Sequence, residues 1–225
     1  GIISRGYGGS GDQVRSVSAA SLSSLVGDEP LLLAKRSGVP VFVGRDRIAA
    51  GQALLAAHPE CDVIVSDDGM QHYRLKRAVE VVVFDGRGAG NGRLLPAGPL
   101  REPLRRLARA DAVVWNGAAA MGVEGAARRL PQFDMRLVGQ RFVAVGGEQR
   151  NCDADCLKGR KLYAIAGIGD PRRFFSQLRA LGLEFEARPF PDHHPYSDAD
   201  LAFARHGVLL MTEKDAVKCE PLVTG

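Results

Sequence analysis

The sequence predicts an α/β protein built on a mostly parallel, doubly wound sheet. Three observations predict it. Short runs rich in Val and Ile recur along the chain, and they are continuous rather than alternating, as suits strands buried on both faces of a parallel sheet. Helical patterns lie between several of them, giving a βαβ rhythm. Turn residues bound nearly every run. The 225 residues, 45% hydrophobic, suffice for a substantial core in one large domain or two small ones.

The strand candidates are IIS (2–4), VPVFVG (39–44), DVIVSD (62–67), VEVVVFD (79–85) and DAVVWN (111–116). DEPLLLAKRSG (28–38) reads as a helix that stops at Lys, Arg and Gly, and DRIAAGQALLAAHP (46–59) as one that stops at Pro59. REPLRRLARAD (101–111) reads as a basic helix, and the Ala-rich segment 117–133 as helix or loop. MRLVGQRFVAV (135–145) is expected to start a β-ribbon. The rhythm then resumes with strand KLYAIAGIG (161–169), helix DPRRFFSQLRALG (170–182) and strand LEFEARPF (183–190). Helix SDADLAFARHG (197–207) carries Ser197 as its cap with Asp200 at N3, and strand GVLLM opens into a helix at TEKDAVK. A boundary between two lobes is expected between about 139 and 160.

The net charge of +4 could favour phosphates, anionic lipid or nucleic acid. The arginines do not fall on one helical face and aromatics make up 6%, so no stacking platform for nucleic acid is visible. Cys152 and Cys156 have no second ligand pair, which argues against zinc, and Cys61 reads as a core residue. The four cysteines are expected to be free thiols in a reducing compartment. No run approaches the ~20 apolar residues needed to span a bilayer.

Several segments could carry chemistry. Asp67 and Asp68 end an apolar strand, where a cation would offset their mutual repulsion; solvated turn aspartates are the bland reading. SRGYGG (4–9) offers an arginine and glycines to a phosphate. GDEP (27–30) places Asp28 at an expected N-cap and Glu29 at N1, as a site or as plain capping. The loop 87–103, with Arg87, Arg93 and Arg101, could close over phosphates or be an ordinary exposed loop. FPDHHPYSDADL (190–201) holds two adjacent histidines between prolines, one of which could serve as a base or its partner; a surface turn is the other reading. MTEKDAVK (211–218) is either a site edge or a helix cap.

In order, SRGYGG, GDEP, GRDR, DDGMQH, GNGRLLPAGPLREP, IAGIGDPRRFF, FPDHHPYSDADL and MTEKDAVK resemble the tetraacyldisaccharide 4'-kinase family along nearly the whole chain. The resemblance implies a P-loop-kinase-like, mostly parallel sheet, incomplete at its N-terminus, and a second, smaller α/β lobe joined by a β-ribbon. Residues 1–138 would be the remainder of the kinase core, 139–160 the ribbon and 161–225 the C-terminal lobe. ATP and Mg2+ would bind between the lobes. Asp67 and Asp68 would hold the metal with Glu29. Asp28 and His193 would form the base, with His194 as the alternative histidine. Gln71, His72, Arg101, Glu102, Arg5 and Arg47 would contact nucleotide, phosphate or substrate. Because Asp28 and His193 would belong to different lobes, lobe closure is expected to assemble the base.

The implied reaction phosphorylates the 4' hydroxyl of a tetraacyl glucosamine disaccharide 1-phosphate, a lipid A precursor. It would run at the cytoplasmic face of the bacterial inner membrane, on a peripheral monomer without nucleic-acid partners. The family's GxxxxGK[ST] loop does not occur in these residues, and the chain opens at GIISRGYGG, without methionine. The chain is therefore expected to be a fragment that binds ATP poorly and turns over little or not at all. The alternative is a non-catalytic nucleotide- or anion-binding module derived from the kinase.

Overall fold

The structure, a computed structural model, describes residues 1–10, 13–118, 122–146 and 151–223. It divides into two compact units, residues 1–75 with 139–225, and residues 76–138. The break after Val138 falls where the expected ribbon begins. The break after Leu75 falls inside the stretch read as one kinase core.

The first unit starts with β1 (Ile2–Ser4), β2 (Arg15–Val17), the short α1 (Ser23–Val26), α2 (Asp28–Ser37), β3 (Val41–Val43), α3 (Arg47–Ala57) and β4 (Val65–Ser66). Their sheet has the order β2-β3-β1-β4; β1 is parallel to β3 and β4, and β2 is antiparallel to β3. Ile3, Phe42, Ala50 and Leu54 form one core beneath α3. Val26, Leu31, Val41 and Val43 form another beneath α2. Helix α2 has Pro30 in its first turn, Lys35 and Arg36 in its last, and Gly38 in the left-handed region beyond it. Its cap is Gly27, not Asp28 as expected: Gly27 takes the non-helical conformation, φ 90° and ψ 154°, and Asp28 is the first helical residue. Helix α3 is capped by Asp46, which accepts from Ile48 N and Ala49 N and is held below the usual carboxylate range by those two amides.

The second unit is a three-stranded parallel sheet of β5 (Val81–Asp85), β6 (Ala112–Asn116) and β7 (Gln132–Met135), with β6 in the centre and α4 (Glu124–Ala127) beside it in sequence. Residues 132–135 therefore finish this sheet, rather than opening a ribbon at 135. The expected helix at 101–111 is a 3-10 segment, Leu104–Arg109, which starts after Pro103 and buries only Leu107. Residues 119–121 of the Ala-rich segment lie outside the described residues.

The first unit resumes at Gly139. The antiparallel pair β8 (Phe142–Val143) and β9 (Asn151–Cys152) forms a ribbon inside the expected 139–160 span; residues 147–150 are outside the described set. Cys152 and Cys156 are joined in a disulfide, which corrects the expectation of four free thiols; the turn between β9 and Asp155–Leu157 brings their Cα atoms within 6.2 Å. Cys61 and Cys219 are free.

A second parallel sheet follows, with β10 (Leu162–Ala166) between β11 (Glu186–Pro189) and β12 (Val208–Met211). Helix α5 (Pro171–Ala180) follows β10, α6 (Asp198–Leu201) precedes β12, and α7 (Glu213–Val223) ends the described chain. All five residues of β10 are buried, as its apolar run predicts. The Asp200 carboxylate accepts from Ser197 N at 2.9 Å, the expected capping arrangement.

Helix α7 packs on α2, where Val217 joins the core of Val26, Leu31 and Val41. The ion pairs Lys35–Glu220 and Arg36–Glu213 tie the two helices together. This packing sets the start of α2 beside the first turns of α7.

Not every apolar run is buried on both faces. Val63, Val65, Val81, Val83 and Phe133 are exposed. β4 is an edge strand of two residues, and β5 alternates, with Val82 inward between exposed Val81 and Val83.

Candidate active site

The first helical residue of α2, Asp28, is 7% exposed. Its Oδ2 lies 3.1 Å from His193 Nδ1 and 3.7 Å from Lys218 Nζ. His193 sits in the loop after β11, where its N–H donates to Gly167 O at the end of β10 and to Asp192 Oδ1. Its φ is 59°, a left-handed conformation that costs a non-glycine residue energy and is held here by those bonds. The Tyr7 ring packs 5.3 Å from the imidazole, which brings the SRGYGG loop to the pair. Gly27 has φ 90°, and a Cβ there would lie 2.5 Å from Tyr7 O, so only glycine lets the loop close on the helix start. Asp28 and His193, separated by 165 residues, touch within one compact unit; no lobe closure is needed to bring them together.

Two lysines of α7, which the sequence marked only as part of a charged stretch, complete this cluster. Lys218 is nearly buried and lies between Asp28 and Asp215, 3.2 Å from Asp215 Oδ1 and 5.0 Å from the centre of the Tyr196 ring. Asp215 is fully buried and accepts from Gly167 N, Tyr196 OH and Thr212 Oγ1. Lys214 Nζ lies 3.1 Å from Glu29 Oε1, 3.3 Å from Asp192 Oδ1 and 3.4 Å from His193 Nε2. Burial works against the Lys214 ammonium, but the carboxylates of Glu29 and Asp192 outweigh it and raise its pKa above the ordinary lysine value.

Burial pushes the Cys219 thiol up to about 12, with Asp215 adding to the effect and Lys218 opposing it; Tyr196 is shifted upward for the same two main reasons. A thiol with its folded pKa raised from 9.0 to about 12 stabilises the fold below pH 9 and loses that contribution as pH rises toward 12, on the order of 4 kcal/mol in all. The urea midpoint, followed by circular dichroism, is therefore expected to fall above pH 9, and Cys219→Ala should flatten part of that fall. An equally steep fall in the variant would remove the thiol from the account.

A second group gathers at the end of β1 and β4. Ser4 Oγ donates to Asp67 Oδ2 at 2.9 Å. Asp68 follows at φ 47° and is exposed. Arg47, 3% exposed, donates from Nη1 to Gly44 O, and its N–H reaches His72 Nε2 at 3.5 Å. Burial and then the Arg5 charge lower its pKa, while Asp67 and Asp68 act the other way, which sets these four charged residues around one place. Three buried polar atoms there, Arg47 Nε, His72 Nδ1 and Ser66 Oγ, have no hydrogen-bond partner among the described residues. Orphaned buried donors beside two carboxylates are what a bound phosphate with its cation would satisfy. Gln71 is half-buried in the same turn.

The hard carboxylate oxygens of Asp67 and Asp68 suit magnesium, which takes one or two protein carboxylates and fills its shell with water and phosphate. The Glu29 carboxylate accepts from Lys214 Nζ at 3.1 Å, and among the described residues no three His, Cys, Asp or Glu side chains form a group that could hold a metal ion. His194 turns away to Asp200, 3.3 Å from its Oδ2. Arg101 and Glu102 belong to the other unit. There Arg101 is exposed, and Glu102 pairs with Arg106, which also binds Glu80.

Comparison with known proteins bears on this geometry. A family model described as tetraacyldisaccharide-1-P 4'-kinase matches residues 1–224. A tetraacyldisaccharide 4'-kinase of Dechloromonas aromatica is 60% identical over the whole chain, which covers 67% of that relative. One from Azoarcus sp. is 57% identical over 98% of the chain and 64% of its own length. The chain thus spans about two thirds of the length of these curated relatives. A crystal structure of LpxK from Aquifex aeolicus in complex with ATP superposes with a TM-score of 0.77 at 32% identity, covering 97% of this chain and 69% of that one. The α/β architecture with mostly parallel sheets agrees with this likeness, and the chain belongs to the tetraacyldisaccharide-1-P 4'-kinase family.

Proposed function

We propose that the protein transfers the γ-phosphoryl group of ATP to the 4' hydroxyl of a tetraacyldisaccharide 1-phosphate. The observation that carries this reading is the Asp28–His193 contact beside the SRGYGG loop. A sugar hydroxyl is a weak nucleophile and must lose its proton as it attacks. Asp28 accepts that proton, and His193 orients the carboxylate. The new bond joins the sugar oxygen to the γ-phosphorus, the bond from that phosphorus to the bridging oxygen breaks, and ADP leaves with the electron pair. Asp28 Oδ2 is taken by His193 and Lys218, and Oδ1 has no hydrogen-bond partner among the described residues, so Oδ1 is the oxygen that faces the hydroxyl.

Asp67 and Asp68 would hold Mg2+, which supplies charge neutralisation for the phosphates. Arg5, Arg47, Gln71 and His72 bind and orient the nucleotide around it. No described helix is long and apolar enough to cross a membrane, and we assign the chain a peripheral place at the cytoplasmic face of the inner membrane, where its acylated substrate resides. The test is incubation with γ-labelled ATP, Mg2+ and tetraacyldisaccharide 1-phosphate in detergent micelles. Label in a bisphosphorylated lipid is expected when a GxxxxGK[ST] segment is supplied with the chain and little from these 225 residues alone, in which the motif does not occur; in the supplied form Asp67→Asn should raise the Mg2+ concentration needed by roughly tenfold or more. ATP binding without label transfer in that form would instead favour a non-catalytic nucleotide-binding module.

A further inference from the structure

The Asp28–His193 pair works only if the imidazole proton is on the correct nitrogen. Nδ1 faces a carboxylate oxygen, so a neutral His193 must carry its proton there to donate. The carboxylate favours this tautomer, against the intrinsic preference of a free imidazole for the proton on Nε2. A second contact, on the far side of the ring, acts in the same direction.

Lys214 Nζ stands 3.4 Å from His193 Nε2. An ammonium has three N–H donors and no lone pair. Its other neighbours are Glu29 Oε1 at 3.1 Å and Asp192 Oδ1 at 3.3 Å, both acceptors. Three donors therefore meet three acceptors, and Nε2 can only be the third of them. A proton on Nε2 would point at a cation. Lys214 also sits in the first turn of α7, the positive end of the helix dipole, where a cation is locally unfavourable. That placement is offset by acceptors from two distant segments, around residue 29 and residues 192–193, converging on one nitrogen. The same Asp192 oxygen accepts the His193 backbone N–H, so the lysine and the strained histidine share an anchor.

We infer that Lys214 is a positioning residue that fixes the tautomer of His193, holding its proton on Nδ1 toward Asp28 and closing Nε2 to substrate. The inference deepens the proposed role of the pair, but the tautomer it names is measurable without turnover. Glu29, on this view, serves by anchoring Lys214.

The experiment is long-range ¹H–¹⁵N NMR of the histidine side chains in the ¹⁵N-labelled chain at pH about 8, above the ordinary imidazole range. His193 is identified by the resonance lost in His193→Gln. The parent protein is expected to show a protonated Nδ1 and an unprotonated Nε2. Lys214→Met should move the proton wholly or partly to Nε2, and Lys214→Arg, which keeps a cationic donor, should retain the parent pattern. A parent spectrum with Nε2 protonated, or a Lys214→Met spectrum unchanged from the parent, overturns the inference. If Lys214→Met does not fold, the parent spectrum and Lys214→Ala, which likewise removes the donor and is judged by the same criterion, still decide it. In the kinase assay Lys214→Met should lower kcat about 100-fold with KM little changed. A parent that shows the expected tautomer yet transfers no phosphate with the GxxxxGK[ST] segment supplied would leave the inference standing and remove the proposed function.

Discussion

Asp28→Asn should lower kcat for phosphoryl transfer to tetraacyldisaccharide 1-phosphate by ~10²–10⁴-fold, with the affinity for ATP unchanged. The substitution is isosteric and sits at the start of a helix whose packing rests on Pro30 and Leu31, so the helix should remain in place. What disappears is the negative oxygen. An asparagine cannot take the hydroxyl proton, and its amide presents either a weaker acceptor or a donor to His193 Nδ1 and to the Lys218 ammonium. The arginines, Asp67 and Asp68 remain as they were, so nucleotide binding measured by calorimetry should not move. A variant with kcat within threefold of the parent would exclude Asp28 as the proton acceptor, and a parallel loss of ATP affinity would place it in nucleotide binding instead.

The Asp28–His193 contact was legible in the sequence through its residue types and the order of its motifs. A carboxylate at a helix start and two histidines between prolines make poor core, and the order of the motifs tied them to one family. Their support was not legible. Lys214 meets Glu29 across 185 residues, and sequence periodicity reports only which residues share a face of one element. MTEKDAVK therefore read as alternating charge, although one of its lysines bonds the histidine, the other faces Asp28, and its aspartate is fully buried.

The strands divide in the same way. β10 reads correctly because all five of its residues are enclosed between two neighbours and covering helices. DVIVSD has similar composition, yet it supplies a two-residue edge strand with Val63 and Val65 exposed, because composition does not record whether a strand is central or peripheral. β2, with the polar sequence RSV, gives no strand signal and exists through its pairing with β3. The Cys152–Cys156 pair was misread because four-residue spacing was weighed only against metal sites, whereas a tight turn after β9 is enough to bring the two sulfurs together.

The largest effect on stability should come from Asp215→Ala, at about 3–5 kcal/mol. No part of this residue is exposed, and its two oxygens gather Gly167 N at 3.2 Å, Tyr196 OH at 3.1 Å, Thr212 Oγ1 at 2.7 Å and Lys218 Nζ at 3.2 Å. Truncation leaves an amide and two hydroxyls without this acceptor, and a nearly buried ammonium whose remaining anion, Asp28, is 3.7 Å away. The unpaired cation should account for most of the loss, and a double-mutant cycle isolates it. Lys218→Met removes the charge that Asp215 balances, so Asp215→Asn combined with Lys218→Met should be less destabilised than the sum of the two single variants by at least ~1 kcal/mol, read from urea denaturation. Additivity within ~0.5 kcal/mol would mean that the cation is solvated after all. In that case Lys218 could not be the fixed charge that faces Asp28, and the carboxylate would owe its orientation to His193 alone.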